Sequence, residues 1–366
     1  MHSSDCSEVS KTVWEGQIEM NAESSRLFNS FIGAAATSAA FETKLLDELE
    51  QNHSVYIADF CAREKLHQAS LEAIVFALAS FRIVTWDDSY KHVARGALFD
   101  DIYREKGYFL WLVRGYGYLW QNIADLVKSE NRPADGTAFV DKHFEEVLSS
   151  MRRERTFVHR SGAHIAAGGA DYGVVFVDHH FDNVLCSMPF NCVADLGCGS
   201  ARRLIGLAKK YPQMRGLGID IDSDAVRHAN ESIGTAGLQQ RISVRQADVG
   251  NLETSDEFSN VDVLSCFFMG HDLWPKANCL RVLTRLREVF PNAGRFLLCD
   301  TYRSDAKPSA EIPTFTLGFE FTHAIMGQAI PNVAEWEALF REAKWKLAQT
   351  IPIEIPFSVI FDLRRE

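Results

Sequence analysis

Three acid-bearing segments and one histidine carry the side chains best suited to chemistry. The run Val193-Ala194-Asp195-Leu196-Gly197-Cys198-Gly199-Ser200 passes from apolar residues into a glycine loop, and a helical pattern opens at Ala201. Two glycines let the backbone approach a ligand, and the helix N-terminus behind them offers N–H groups to an anion. Asp220 ends Gly218-Ile219-Asp220, 23 residues after Gly197, the distance at which an acid accepts the hydroxyls of a ribose. Asp248, in Gln246-Ala247-Asp248-Val249, closes the next apolar run and can take an adenine amino group. Together they describe an adenosine with a small zwitterionic tail. NAD is disfavoured, because Arg202 stands where the dinucleotide motif requires a third small residue. His271, in Phe267-Phe268-Met269-Gly270-His271-Asp272-Leu273-Trp274, follows a later strand end, where a side chain with an ordinary pKa of about 6.5 suits general-base work. His323 lies 52 residues downstream, in Phe321-Thr322-His323-Ala324 on a helix-like segment. Taken alone, such a histidine is more often a hydrogen-bonded core residue than a ligand.

The elements that must position these groups follow from periodicity. From Asn191 onward, β-like runs (CVADLG, GLGIDI, ISVRQAD, VDVLSCFF, RFLLCD) alternate with helical ones (ARRLIGLAKKY, SDAVRHANESI, CLRVLTRLREVF). That pattern means βαβ units and a doubly wound α/β domain with a parallel sheet, whose ligands bind beyond the carboxyl ends of the strands. The N-terminal half reads differently. A helix is expected over 28–49, a second over 57–66 and a third over 71–82, followed by a β-like 83–86 and a turn at 87–89, which is a winged-helix outline. Its third helix, SLEAIVFALASF, has one Glu and no Lys or Arg, so it suits a protein contact better than a DNA groove. The aromatic helical stretch 108–127 reads as core or dimer interface, and the domains divide as 1–150 and 151–366. The short run 174–177 reads as a strand. His159, His164, His179 and His180 are expected to be structural.

Composition narrows the function classes. The 366 residues make one large or two ordinary domains, and 46% hydrophobic content is normal for a chain with real cores. A net charge of −11 repels phosphate backbones and anionic lipid, so neither nucleic acid nor a membrane is an expected partner. The first 20 residues lack a signal peptide's pattern, and a soluble, cytoplasmic protein is expected. The 8 cysteines contain no C-x-x-C pair, which argues against a disulfide framework or a structural zinc site.

VADLGCGS, GLGIDID and QADVGNL resemble the first three motifs of the class I S-adenosylmethionine (SAM)-dependent methyltransferases. The resemblance implies a Rossmann-like catalytic domain, with the SAM amino acid portion near Asp195, Gly197 and Gly199, the ribose at Asp220 and the adenine near Asp248. Over nearly its whole length the chain resembles the small-molecule O-methyltransferase-like subgroup, which implies a helical, winged-helix-like dimerisation domain and a homodimer. His271 and His323 together, with their flanks, resemble the iron-dependent α-keto acid C-methyltransferases of β-methyl amino acid and antibiotic biosynthesis. That likeness implies an Fe ion held by His271 and His323, Arg155 for the substrate carboxylate, and Asp272 in a polar role beside the metal. A Lewis-acidic ion on the ketone oxygen stabilises an enolate, and chelation fixes the β-carbon toward the methyl donor. The base is left between Asp272 and a metal-bound hydroxide, since a ligating histidine has lost its lone pair. The competing reading makes His271 the base of a metal-independent O-methyltransferase. Family substrates include arylpyruvates, indolepyruvate, 2-oxoglutarate and 5-guanidino-2-oxopentanoate, and the acidic charge leans slightly toward the last.

Overall fold

The computed structural model describes residues 22–87, 89, 91–128, 173, 175–305, 307–309, 311–326, 328 and 330–366. Arg155, His159, His164 and the expected boundary at 150/151 lie outside them. The chain separates into two compact units, Met1–Phe109 and Leu110–Glu366.

In the first unit, α1 (Ala22–Glu42) and α2 (Leu45–Asn52) replace the single helix expected over 28–49. The break falls at Lys44, whose φ of 64° is left-handed, and it turns Leu45, Leu46 and Leu49 into the core. β1 (Ser54–Tyr56), α3 (Ile57–Glu64) and α4 (Gln68–Ser80) follow. The strands β2 (Val84–Trp86) and β3 (His92–Arg95) complete an antiparallel sheet in the order β1-β3-β2, which is the winged-helix outline. Leu71, Val75 and Leu78 form the buried stripe of α4. At Gly33 helix α1 meets Phe81 so closely that an added Cβ would lie 2.5 Å from the ring. The opposite side of α1 leaves Leu27, Phe28 and Phe31 exposed.

The second unit is built on a seven-stranded sheet. Its strands are β4 (Cys192–Leu196), β5 (Arg215–Asp220), β6 (Ile242–Gln246), β7 (Val263–Phe267), β8 (Arg295–Thr301), β9 (Trp345–Pro352) and β10 (Ser358–Arg365). They lie in the order β6-β5-β4-β7-β8-β10-β9, and β10 runs antiparallel to both neighbours. Strand order reverses between β4 and β7, which creates the ligand crevice of a doubly wound sheet. The helices are α5 (Asp178–Leu185), α6 (Arg202–Lys210), α7 (Ser223–Thr235), α8 (Lys276–Val289), α9 (Thr316–Met326) and α10 (Val333–Glu342). All residues of β4 and β8 are buried, as expected of strands covered on both faces. Short helical turns over 110–126 precede α5 in this unit.

Over 175–177, the described part of the run expected as a strand at 174–177, no strand forms. Val177 N bonds to Gly173 O at 3.0 Å and Phe181 N to Val177 O at 2.9 Å, a helical i to i−4 pattern. A four-residue apolar run cannot distinguish a buried strand from a buried helical turn. Among the described residues no helix is long and apolar enough to cross a membrane.

Candidate active site

The glycine loop is set by its backbone. Gly197 and Gly199 adopt φ of 72° and 52°, a region in which a Cβ is costly. Gly199 N donates to Asp220 Oδ2 at 2.8 Å, so the loop after β4 is tied to the acid that ends β5. Gly218 lets the glycine loop close on β5, since a Cβ there would lie 2.6 Å from Cys198 Sγ. Asp195 is buried on β4 and accepts a hydrogen bond from Ser265 Oγ at 2.7 Å, from the residue paired with it on β7. Burial pushes its carboxyl above the usual range, against the opposing charge of Arg203. Burial also raises Asp220. Asp248 accepts hydrogen bonds from Gly250 N at 2.8 Å and Asn251 Nδ2 at 2.6 Å, which caps the turn 249–251. The structure thus gathers Asp195, Gly197, Gly199 and Asp220 about one loop, and Asp248 follows β6 on the same edge of the sheet.

On the other side of the reversal point, the turn Gly270–Leu273 follows β7 and presents His271. The His271 backbone N–H donates to Asp300 Oδ2 at 2.7 Å, and its Nδ1 lies 2.7 Å from Asp300 Oδ1. Gly270 permits that approach: a Cβ there would lie 2.7 Å from both Asp300 Oδ2 and Leu298 Cδ1. Asp300, fully buried on β8, was not singled out from the sequence, and its one signal is its position at the end of RFLLCD. From α9, His323 points its Nδ1 at the Phe319 carbonyl, 2.6 Å away. The two Nε2 atoms then face each other at 3.0 Å.

Tautomers follow from the partners. A carbonyl only accepts, so His323 Nδ1 carries the proton; His271 Nδ1 likewise donates to a carboxylate. Both Nε2 lone pairs therefore converge on one point, an arrangement that requires a cation or a shared proton between them. Burial pushes His271 down, but Asp300 and Asp272 outweigh it and raise its pKa. Burial, and then the neighbouring His271, push His323 down.

Asp272 is the third member. Its Oδ1 lies 3.7 Å from His271 Nε2, its side chain is half exposed, and it accepts a hydrogen bond from Gln328. Ligand atoms of His271, Asp272 and His323 all lie within 4.8 Å of one another. The surrounding protein pushes the Asp272 carboxyl up, while His271 and Gln328 pull it down. Around the rings stands an aromatic layer. Phe319 packs on His323 at 4.0 Å and edge-on to His271 at 5.1 Å between centroids. Trp111 packs on Phe315 at 5.3 Å, on Phe319 at 6.3 Å and on Tyr116 at 4.9 Å. The Tyr116 hydroxyl is raised by partial burial and then by the charge of Asp272.

Known proteins share this build. A methyltransferase-domain family matches residues 193–294. The methyltransferase ungE' of Aspergillus campestris (strain IBT 28561) is 33% identical over 346 residues, covering 92% of this chain and 95% of its own. An indolepyruvate C-methyltransferase of Streptomyces griseus is 29% identical over 171 residues, 46% of this chain and 50% of its own. The fold is that of human N-acetylserotonin methyltransferase in complex with SAM (TM-score 0.67, 15% identity, 100% of this chain and 99% of that one). It is also that of the mitomycin 7-O-methyltransferase (TM-score 0.61, 17% identity, 96% and 99%). With the glycine loop, its acids and a relative matched over nearly its full length, the chain belongs to the class I SAM-dependent methyltransferases and methylates small molecules.

Proposed function

We propose that this enzyme methylates the β-carbon of an α-keto acid chelated by a metal ion, iron by family resemblance, that His271 and His323 hold. The single observation that carries the reading is the 3.0 Å approach of two Nε2 lone pairs whose opposite nitrogens are already engaged. Cis ligands about 2.1 Å from one ion stand roughly 3.0 Å apart, so the donor set fits a cation without rearrangement. A carboxylate and a carbonyl behind metal-ligating histidines are the usual means of fixing ring orientation and raising basicity. When bound, the ion would polarise the 2-oxo group, and SAM would supply an electrophilic methyl.

In the reaction the β-carbon gives up a proton and gains the methyl as the carbon–sulfur bond breaks, and S-adenosylhomocysteine leaves. Asp272, with its raised carboxyl and its Gln328 partner, is the protein's own candidate for that proton. Arg155 is the candidate for the substrate carboxylate, through a bidentate pair. The aromatic layer of Trp111, Tyr116, Phe315 and Phe319 favours an arylpyruvate over the guanidino keto acid, and the likeness to an indolepyruvate enzyme supports it. The same reading includes a dimerisation half, 1–150, a catalytic half, 151–366, and a homodimer, for which the exposed apolar face of α1 is suited.

Metal analysis of the purified protein, with a keto acid panel assayed before and after chelation, tests this. The expected result is a stoichiometric transition metal and a β-methylated product that chelation abolishes. A metal-free, fully active preparation overturns it. The His271–Asp300 pair also suits a general base, so O-methylation is the second reading; it expects a His323→Ala variant to keep its activity without metal.

A further inference from the structure

Asp272 stands differently from the two histidines beside it. His271 and His323 are buried and each is held from behind, whereas the Asp272 side chain is 49% exposed. A carboxylate so open to water has several rotamers available, and packing alone selects none of them. Nor does His271 orient it, because Nε2 lies 3.7 Å from Oδ1, beyond hydrogen-bond length. Gln328 does: its Nε2 donates to that Oδ1, and among the described residues no other hydrogen bond reaches the carboxylate. Gln328 is itself anchored. Its backbone N–H donates to the His323 carbonyl at 2.8 Å, a bond spanning five residues of the kind that caps a helix C-terminus. One residue therefore ties the turn after β7, which carries His271 and Asp272, to the end of α9, which carries His323. A carboxylate accepts and never donates, so the amide presents its NH2 to Asp272. With Oδ1 engaged on the side facing His271, Oδ2 is the oxygen left to accept from a substrate.

We propose that Gln328 is the positioning residue of Asp272, holding that carboxylate where it takes the β-proton of the keto acid. The proposal rests on the keto acid reading above and goes beyond it by naming the residue that aims the base. In the step, the proton passes to Asp272, the electron pair of the C–H bond forms the bond to the SAM methyl, and the pair of the carbon–sulfur bond stays on sulfur. Aim matters because a misplacement of about 1 Å can cost about 100-fold in rate.

Gln328→Met keeps the length of the side chain and removes its donor. The full-length, metal-loaded variant should lose about 10- to 100-fold in kcat, while KM for an arylpyruvate and metal content stay within about 2-fold of wild type. A freshly mixed β,β-dideuterated arylpyruvate should show a larger isotope effect on kcat in the variant than in wild type, because proton removal becomes the slow step. In an Asp272→Asn background the same substitution should change kcat by less than about 2-fold, since a residue that acts through another has no effect once that other is disabled. Equal losses in both backgrounds, an unchanged isotope effect, or loss of metal overturns the proposal, because Gln328 would then hold the fold or the ion. Asp272→Asn as fast as wild type overturns it too. Should Gln328→Met fail to fold, Gln328→Asn, which keeps the amide but is one methylene short, carries the same expectations. Wild type that binds metal and methylates no keto acid would sink the reading of the substrate; a Gln328→Met variant that methylates it at the wild-type rate sinks the role of Gln328 alone.

Discussion

Among the described residues, two groups bring a pair of histidines and a carboxylate within reach of one ion: His271, His323 and Asp272, and His179, His180 and Glu354. They differ in what stands behind the rings. In the first, both histidines are buried, and each Nδ1 is engaged, by Asp300 and by the Phe319 carbonyl, so that the Nε2 lone pairs converge. In the second, neighbours on the first turn of α5 have ring centres 3.9 Å apart and planes tilted by 40°, and the exposed His179 stands 3.8 Å from an exposed Glu354. His180 Nε2 has no hydrogen-bond partner among the described residues, whereas both rings of the first pair are held by a hydrogen bond from behind. The contrast teaches that the proposed metal centre rests on orientation enforced from behind and not on proximity alone.

The largest expected effect would break that contrast outright. His323→Ala and His271→Ala should each release the metal and lower turnover by more than about a thousandfold, since an octahedral site with one protein imidazole left is a poor one. His179→Ala should leave metal content and kcat within about 2-fold of wild type. Metal analysis and steady-state kinetics on the three variants check this, and loss of metal from His179→Ala would show that orientation was the wrong criterion.

The same rule applies to ion pairs, on the stability axis. Arg295 and Asp362 are 4% and 5% exposed and joined by two hydrogen bonds, of 3.0 and 2.9 Å. Arg295 also donates to the Leu185 and Val184 carbonyls at the end of α5. Asp362→Ala leaves a buried guanidinium without its carboxylate, and should cost about 3–5 kcal/mol in a denaturant titration. A cost below about 1 kcal/mol would mean that water reaches the site.

A smaller effect isolates orientation from ligation. Asp300→Asn keeps size and hydrogen-bonding capacity but removes the charge opposite His271 Nδ1. Metal affinity should fall by about 10- to 100-fold, the usual cost of losing such a partner, and competition against a chelator measures it. An unchanged affinity would assign Asp300 to holding the turn at 270–273 alone.

These residues also mark what could be read from sequence. The glycine loop and the acids of β5 and β6 were legible because a backbone that must adopt φ of 72° and 52° leaves glycines at fixed places. The pairing of the two histidines was read from their flanks, and the structure brings their Nε2 atoms to 3.0 Å. Asp300 was not, because an acid ending an apolar strand looks like any other until Gly270 lets the neighbouring turn descend on it. The break of the first helix at Lys44 carried no glycine or proline to announce it.

The smallest expected effect sharpens the comparison from its other end. Arg227 and Glu231 sit 2.7 Å apart on α7, with 61% and 59% of their side chains exposed. A pair in that setting makes a good hydrogen bond, yet water solvates both partners when it opens, and holding two long side chains together costs rotamer freedom. Arg227→Ala should therefore change stability by no more than about 0.5 kcal/mol, and less at high salt. The distance is shorter than either hydrogen bond of the Arg295–Asp362 pair, so distance alone would predict the opposite ranking. Denaturant titrations of Arg227→Ala and Asp362→Ala at low and high salt decide between them, and a loss at Arg227 that matches Asp362 would put distance, rather than burial with fixed orientation, in control.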